Sequence, residues 1–102
     1  MSGAAQKLVN NKNLDGASSV MRALTHPIRL KLIGFIDQNK RINVNKIYKA
    51  LKMEQSVASQ HLRILRDEKL VKAERNGKFI FYTVNYPKLE AIVNAINKFL
   101  AA

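Results

Sequence analysis

Residues 54–84, EQSVASQHLRILRDEKLVKAERNGKFIFYTV, decide the fold, because one helix runs directly into a two-stranded hairpin. On a helix from Gln55 to Glu68, the residues Val57, Ala58, His61, Leu62, Ile64 and Leu65 share an arc of about 160°, a core-facing stripe. Ser56, Ser59, Gln60, Arg63, Arg66 and Asp67 fill the opposite arc. Apart from Asp67, that outer face carries hydroxyls, an amide and guanidiniums, the groups that reach base edges and phosphates in a DNA major groove. An ordinary solvated helix face has a similar composition, so the helix alone does not decide.

The hairpin decides. After Lys69 the apolar period changes from 3.6 to 2, and Leu70–Arg75 and Lys78–Val84 flank Asn76-Gly77. Asn-Gly is the strongest short signal for a type I′ turn, since both residues tolerate positive φ. Such a turn predicts that Arg75 pairs with Lys78, Ala73 with Ile80 and Val71 with Tyr82. Two cations, Arg75 and Lys78, then flank Asn76 at the tip. A basic-faced helix followed by a basic hairpin is the arrangement of a winged helix-turn-helix: mainly α, with a small β-hairpin. The predicted DNA-contacting set is Gln55, Ser56, Ser59, Gln60, Arg63 and Arg66 on the helix and Arg75, Asn76 and Lys78 on the wing.

Three stretches, LTHPIRLKLI (24–33), EQSVASQHLRILRDEKLV (54–71) and NGKFIFYTV (76–84), resemble the ArsR family of prokaryotic winged-helix repressors. The resemblance covers about residues 20–100. It implies a homodimer that binds an imperfect palindrome near a promoter and, in many members, releases it when an inducer binds.

The composition is consistent with that. A chain of 102 residues is one domain with a modest core that a partner subunit would help to complete. The formal charge is +11, from 18 Lys and Arg against 7 Asp and Glu. Such a balance suits a polyanion, with nucleic acid ahead of an anionic membrane surface. The sequence has no apolar run long enough to span a bilayer and no signal-peptide core, which predicts a cytoplasmic protein with no membrane partner. It has no cysteine, which excludes disulfides, thiolate metal sites and thiol-based switching.

Before the hairpin, residues 1–13 read as an N-terminal arm and 14–102 as the DNA-binding domain. Leu14, Ala17, Val20, Met21 and Leu24 mark a first helix over 14–24 with Asn13 as N-cap. Pro27 opens a second helix to residue 38, with His26 in a structural, capping role. Arg41-Ile42 predicts a short strand added to the hairpin. Asn43 caps a third helix over 44–52, and Lys52-Met53-Glu54 turns into the helix at 55. Pro87 opens a last helix whose stripe is Leu89, Ile92, Val93, Ile96, Phe99 and Leu100. A winged core does not need all of this apolar surface, nor all of the first helix's. A dimer built from the terminal helices, with Leu14, Val20 and Met21 beside the six stripe residues, would cover it.

No catalytic constellation is present, and the chain reads as a regulator rather than an enzyme. His26 and His61 are far apart in sequence, and His61 lies mid-stripe, where a hydrogen-bonded core role is expected. Many ArsR proteins sense metals through Cys on early helices or Asp and His on the last helix. Here the last helix has neither Asp nor His, and Tyr86 and Lys88 stand where ligands would be expected. The expectation is therefore no metal, no cofactor and an effector left open. The rival reading is a winged module that binds a protein or an anionic surface, for which apolar or aromatic anchors on the outer face of helix 55–68 would be expected.

Overall fold

A computed structural model describes residues 11–101. Five helices and three short strands follow in order: α1 (Asn11–Thr25), α2 (Pro27–Asn39), β1 (Ile42–Asn43), α3 (Val44–Ala50), α4 (Gln55–Asp67), β2 (Val71–Asn76), β3 (Phe79–Val84) and α5 (Tyr86–Ala101). Most of the expected arm and the Leu14 side chain lie outside the described residues. Asn13 lies within α1 rather than capping it, and α5 opens one residue before Pro87.

The caps that begin α2 and α3 are local and follow from residue type. His26 has extended backbone, and its Nδ1 accepts the Ile28 N–H at 3.2 Å, with Pro27 in the first turn. Asn43 Oδ1 accepts the Lys46 N–H at 2.9 Å and starts α3.

The helix ends are different. At the end of α3, Lys52 N–H donates to Lys49 O at 3.3 Å and Met53 N–H to Tyr48 O at 2.9 Å. At the end of α4, Lys69 N–H donates to Arg66 O and Leu70 N–H to Leu65 O, both at 2.9 Å. This pair of bonds is the Schellman motif, whose left-handed residue is usually Gly. Here it is lysine both times, with φ 54° at Lys52 and 61° at Lys69. A left-handed residue bearing a Cβ costs about 1–2 kcal/mol. The second motif is clasped by Leu65 and Leu70, both fully buried.

The antiparallel sheet has the order β1-β3-β2. Its hairpin register corrects the expected one: Asn76 pairs with Phe79, Arg75 with Ile80, Ala73 with Tyr82 and Val71 with Val84. The two turn residues are therefore Gly77 and Lys78, with φ 63° at Gly77 and no positive φ at Lys78. Gly in the first central place fits a type II′ turn better than type I′. The shift is two residues in pairing, so every side chain keeps its expected face. The adopted register sets buried Val71 opposite buried Val84.

The core lies where α2, α3, α4 and the sheet meet. Leu32, Ile36, Ile47, Leu62, Leu65, Leu70 and Val71 are its fully buried members, with Tyr82 and Val84 entering from β3. On α4 the buried line is Ala58, Leu62 and Leu65. Val57 lies about 100° around the helix from Ala58. It is 36% exposed, so its assignment to the core stripe is corrected. His61 and Ile64, on the same flank, are half-buried.

No residue of α5 is buried. Leu89 and Ile92 pack partly on the core, Ile96 is half-buried, and Val93, Phe99 and Leu100 are 46%, 81% and 73% exposed. Tyr86 Oη donates to Asp37 Oδ1 at 2.5 Å, tying the base of α5 to the end of α2. That bond, helped by Lys40, holds the Asp37 carboxyl below its ordinary range, and it raises the Tyr86 phenol.

Candidate nucleic-acid interface

The outer face of α4 gathers four of the expected residues. Ser56, Ser59, Gln60 and Arg63 are all exposed and together line a shallow, open depression of about 320 Å³. Three of the four can donate and accept hydrogen bonds, and Arg63 adds a fork of donors. Gln55 is exposed at the helix start. Val57, exposed on the flank next to Gln60, is an apolar neighbour that sequence reasoning had placed inside. Its position at the edge of the stripe was the available signal.

Arg66 does not join that group. It stands with Lys69 and Lys72 around a separate notch of about 350 Å³ where α4 meets β2, close to Asn85. Asn85 Nδ2 donates to Lys69 O at 2.8 Å and pins the turn there. The Arg66–Asp67 approach is 3.9 Å between exposed side chains, too long and too wet to neutralise the guanidinium. The α4 surface is thus divided between a polar outer face and a cationic notch at its C-terminal end.

On the wing, the turn itself presents Asn76, Gly77 and Lys78, and Arg75 lies one rung below, opposite Ile80. Strand alternation puts Arg75 on the face of Ile80 and Tyr82, whereas Asn76 shares the other face with Phe79 and Phe81. That second face holds a feature the sequence reading missed. Lys78 Nζ lies 5.5 Å from the Phe79 ring, Phe79 meets Phe81 edge-on at 6.3 Å, and the Arg41 guanidinium sits 3.8 Å over Phe81. The alternation of Phe79 and Phe81 was visible, but the approach of Arg41 requires β1 to pair with β3. These stacked rings and cations stiffen the wing that carries Lys78.

On the inner side of α4 lies a polar hub. The Arg29 side chain, on a residue only 9% exposed, donates from Nε to Ala23 O at 2.9 Å and from Nη2 to Arg22 O at 2.8 Å. Its Nη1 lies 3.4 Å from His61 Nδ1, and the His26 and His61 rings are 4.8 Å apart. One side chain thus joins the end of α1 to the middle of α4. Burial, the neighbouring His26 and Arg29 lower the His61 pKa, in that order. Burial also raises the Tyr82 phenol, against an opposing effect of Arg66. Among the described residues, no three His, Cys, Asp or Glu side chains come together to hold a metal ion.

The family description for the bacterial regulatory proteins of the arsR family matches residues 26–73, from the cap of α2 into the wing. The transcriptional repressor PagR of Bacillus anthracis is 36% identical over 85 residues, spanning 83% of this chain and 85% of that protein. The chain belongs to the ArsR family. It is a DNA-binding transcriptional regulator with a winged helix-turn-helix fold. The crystal structure of PagR superposes with a TM-score of 0.67 at 34% identity, covering 83% of this chain and 97% of that one. The repressor SmtB of Mycobacterium tuberculosis is 34% identical over 78% of this chain, which spans 58% of SmtB. An ArsR-like regulator from Rhodococcus shares the fold with a TM-score of 0.77 at 18% identity, over 88% of this chain and 84% of that one. No helix among the described residues is long and apolar enough to cross a membrane.

Proposed function

We propose that this ArsR protein is a cytoplasmic repressor that binds a palindromic operator as a homodimer and has neither a metal nor a thiol switch. The observation that carries the reading is the separation on α4. Ser56, Ser59, Gln60 and Arg63 form one open polar face, while Arg66 belongs to the cationic notch. The N-terminal half of a recognition helix meets base edges, and its C-terminal half rises toward the backbone. Gln60 pairs with adenine and Arg63 with guanine, Val57 lies against a thymine methyl, and Arg66 and Lys78 hold phosphate. Gln55, Arg75 and Asn76 complete the DNA-facing set. Beside that face Val57 is exposed, but Ser56, Ser59, Gln60 and Arg63 make up the face itself with no aromatic side chain among them, which supports a nucleic-acid rather than a protein-binding role.

Dimerisation is supported by the unburied apolar stripe of α5. Val20, Ile92, Ala95 and Ile96 line an open groove of about 480 Å³ where α1 and α5 meet Asp67, Glu68 and Lys69 at the end of α4, and Met21, Val93, Phe99 and Leu100 are exposed on the same two terminal helices. A second copy covers this surface and sets two α4 helices one DNA turn apart, which accounts for a palindrome.

The test is binding to a panel of single-base operator variants at one salt concentration. Gln60→Ala and Arg63→Ala should each lose about 1–3 kcal/mol of discrimination at particular positions. Arg66→Ala should lower affinity for every variant alike. Parallel losses for all three would mean that α4 only clamps the backbone.

A further inference from the structure

Both helices of the helix-turn-helix pair end on a left-handed lysine, Lys52 after α3 and Lys69 after α4. Glycine serves this backbone position better, and the turn between such helices often contains one. Packing does not explain the choice, because both lysines are exposed. Nor do internal ion pairs, since among the described residues no carboxylate lies within bridging distance of either. What the two have in common is position: they bracket α4, three residues before its start and two after its end.

We propose that Lys52 and Lys69 are retained in this unfavourable conformation for their charge, and hold DNA phosphates on the two sides of the groove that α4 enters. The proposal rests on the operator-binding reading and extends it to the helix ends. With the N-terminal half of α4 on the base edges, Lys69 lies where the helix has risen to the backbone, and Lys52, in the turn three residues ahead of Gln55, lies outside the stretch that reads bases. At the α4 end, Lys69 stands between the groove it borders with Asp67 and Glu68 and the cationic notch it shares with Arg66 and Lys72. A third lysine supplies a control within the same chain. Lys40 also has positive φ, 64°, but it closes α2 rather than flanking α4, and its 3.7 Å approach to Asp37 is between exposed side chains.

The experiment uses the full chain and a duplex carrying its operator, with melting and affinity measured for Gly and Gln at positions 52 and 69 and for Lys40→Gly. Gly relieves the backbone and removes the charge, whereas Gln removes only the charge. Lys52→Gly and Lys69→Gly should raise Tm by about 4–8 °C. Lys52→Gln and Lys69→Gln should leave it near wild type. All four should bind several-fold more weakly and flatten the dependence of log K on log salt by about 0.9 for each phosphate no longer neutralised. Lys40→Gly should raise Tm and bind normally. More stable Gly variants that bind and respond to salt as wild type does would overturn the proposal. So would Gln variants with full affinity beside weakened Gly variants, because backbone shape would then be the cause. A wild-type protein that binds no duplex at all would instead overturn the operator reading beneath it.

Discussion

Replacing Arg29 by methionine tests the hub that joins α1 to α4. The substitution keeps a long apolar stem but removes the guanidinium fork. Two carbonyls in the last turn of α1, those of Arg22 and Ala23, are then left without their donor. Helix-terminal carbonyls have no partner within their own helix, and Ala23 is only 1% exposed, so water does not replace the missing bond there. A hydrogen bond from a charged group contributes about 1.5–3 kcal/mol. Taking the Ala23 bond at the upper part of that range and the half-buried Arg22 bond at the lower gives a loss of about 3–4 kcal/mol. For a domain of this size that lowers Tm by about 15–25 °C. Arg29→Lys, with one ammonium in place of a planar fork, should lose about half as much. Thermal melts followed by circular dichroism, at one fixed protein concentration so that any self-association contributes equally, read the effect directly. An Arg29→Met protein melting within about 3 °C of wild type would refute the assignment, and α1 would then be held by apolar packing alone.

Other expectations follow from the site. Burial and the charges of His26 and Arg29 set His61 below the ordinary histidine pKa, so the unfolded chain takes up a proton first as pH falls. Stability is then complete above about 6.5 and declines as pH drops below it toward the folded-state value; His61→Gln should flatten that decline, and melts that do not change between pH 7.5 and 5.5 would contradict it. Ile96→Glu places a charge on the α5 stripe and should cost the dimer about 3–5 kcal/mol, giving folded monomers by sedimentation that no longer hold a two-half-site operator. A dimeric Ile96→Glu protein would mean that the subunits meet elsewhere. Lys78→Ala should weaken binding to all sequences alike and reduce the salt slope by about one unit if the lysine neutralises a single phosphate; an unchanged slope would remove the wing tip from the interface.

How much of this was legible in the sequence depended on the range of each signal. Asn43 and His26-Pro27 act within three residues, and both caps form as their residue types predict. Asn76-Gly77 located the turn but not its type, because glycine suits either central position and only the rungs above it choose. The ends of α3 and α4 were misplaced by a residue or two because the stop signal expected there is glycine, and lysine occupies the position. That Ser56, Ser59, Gln60 and Arg63 share one exposed face was legible because helical periodicity alone puts them there. The hub was not: Arg29 and His61 are separated by 32 positions, and nothing local marks a buried arginine as the partner of a mid-stripe histidine. Arg41 over Phe81 was hidden for the same reason.

The hydrogen bond from Tyr86 to Asp37 has a mechanical consequence. It anchors α5 near its first residue, while the far end of the helix is unsupported by its own subunit. With Leu89 and Ile92 packed partly on the core, the helix beyond Ile92 makes a lever of about 13 Å. A swing of about 9° moves the free end by about 2 Å, a displacement comparable to the helix shifts that separate binding states in known switches. In a dimer joined through the two levers, the distance between reading heads is set by that angle, doubled by symmetry. Anything that loosens the phenol–carboxylate pivot, such as Tyr86→Phe, would leave each head intact while detuning the span between them. Half-sites moved one base pair closer or farther apart would be the sensitive readout, since a single intact half-site does not register the change.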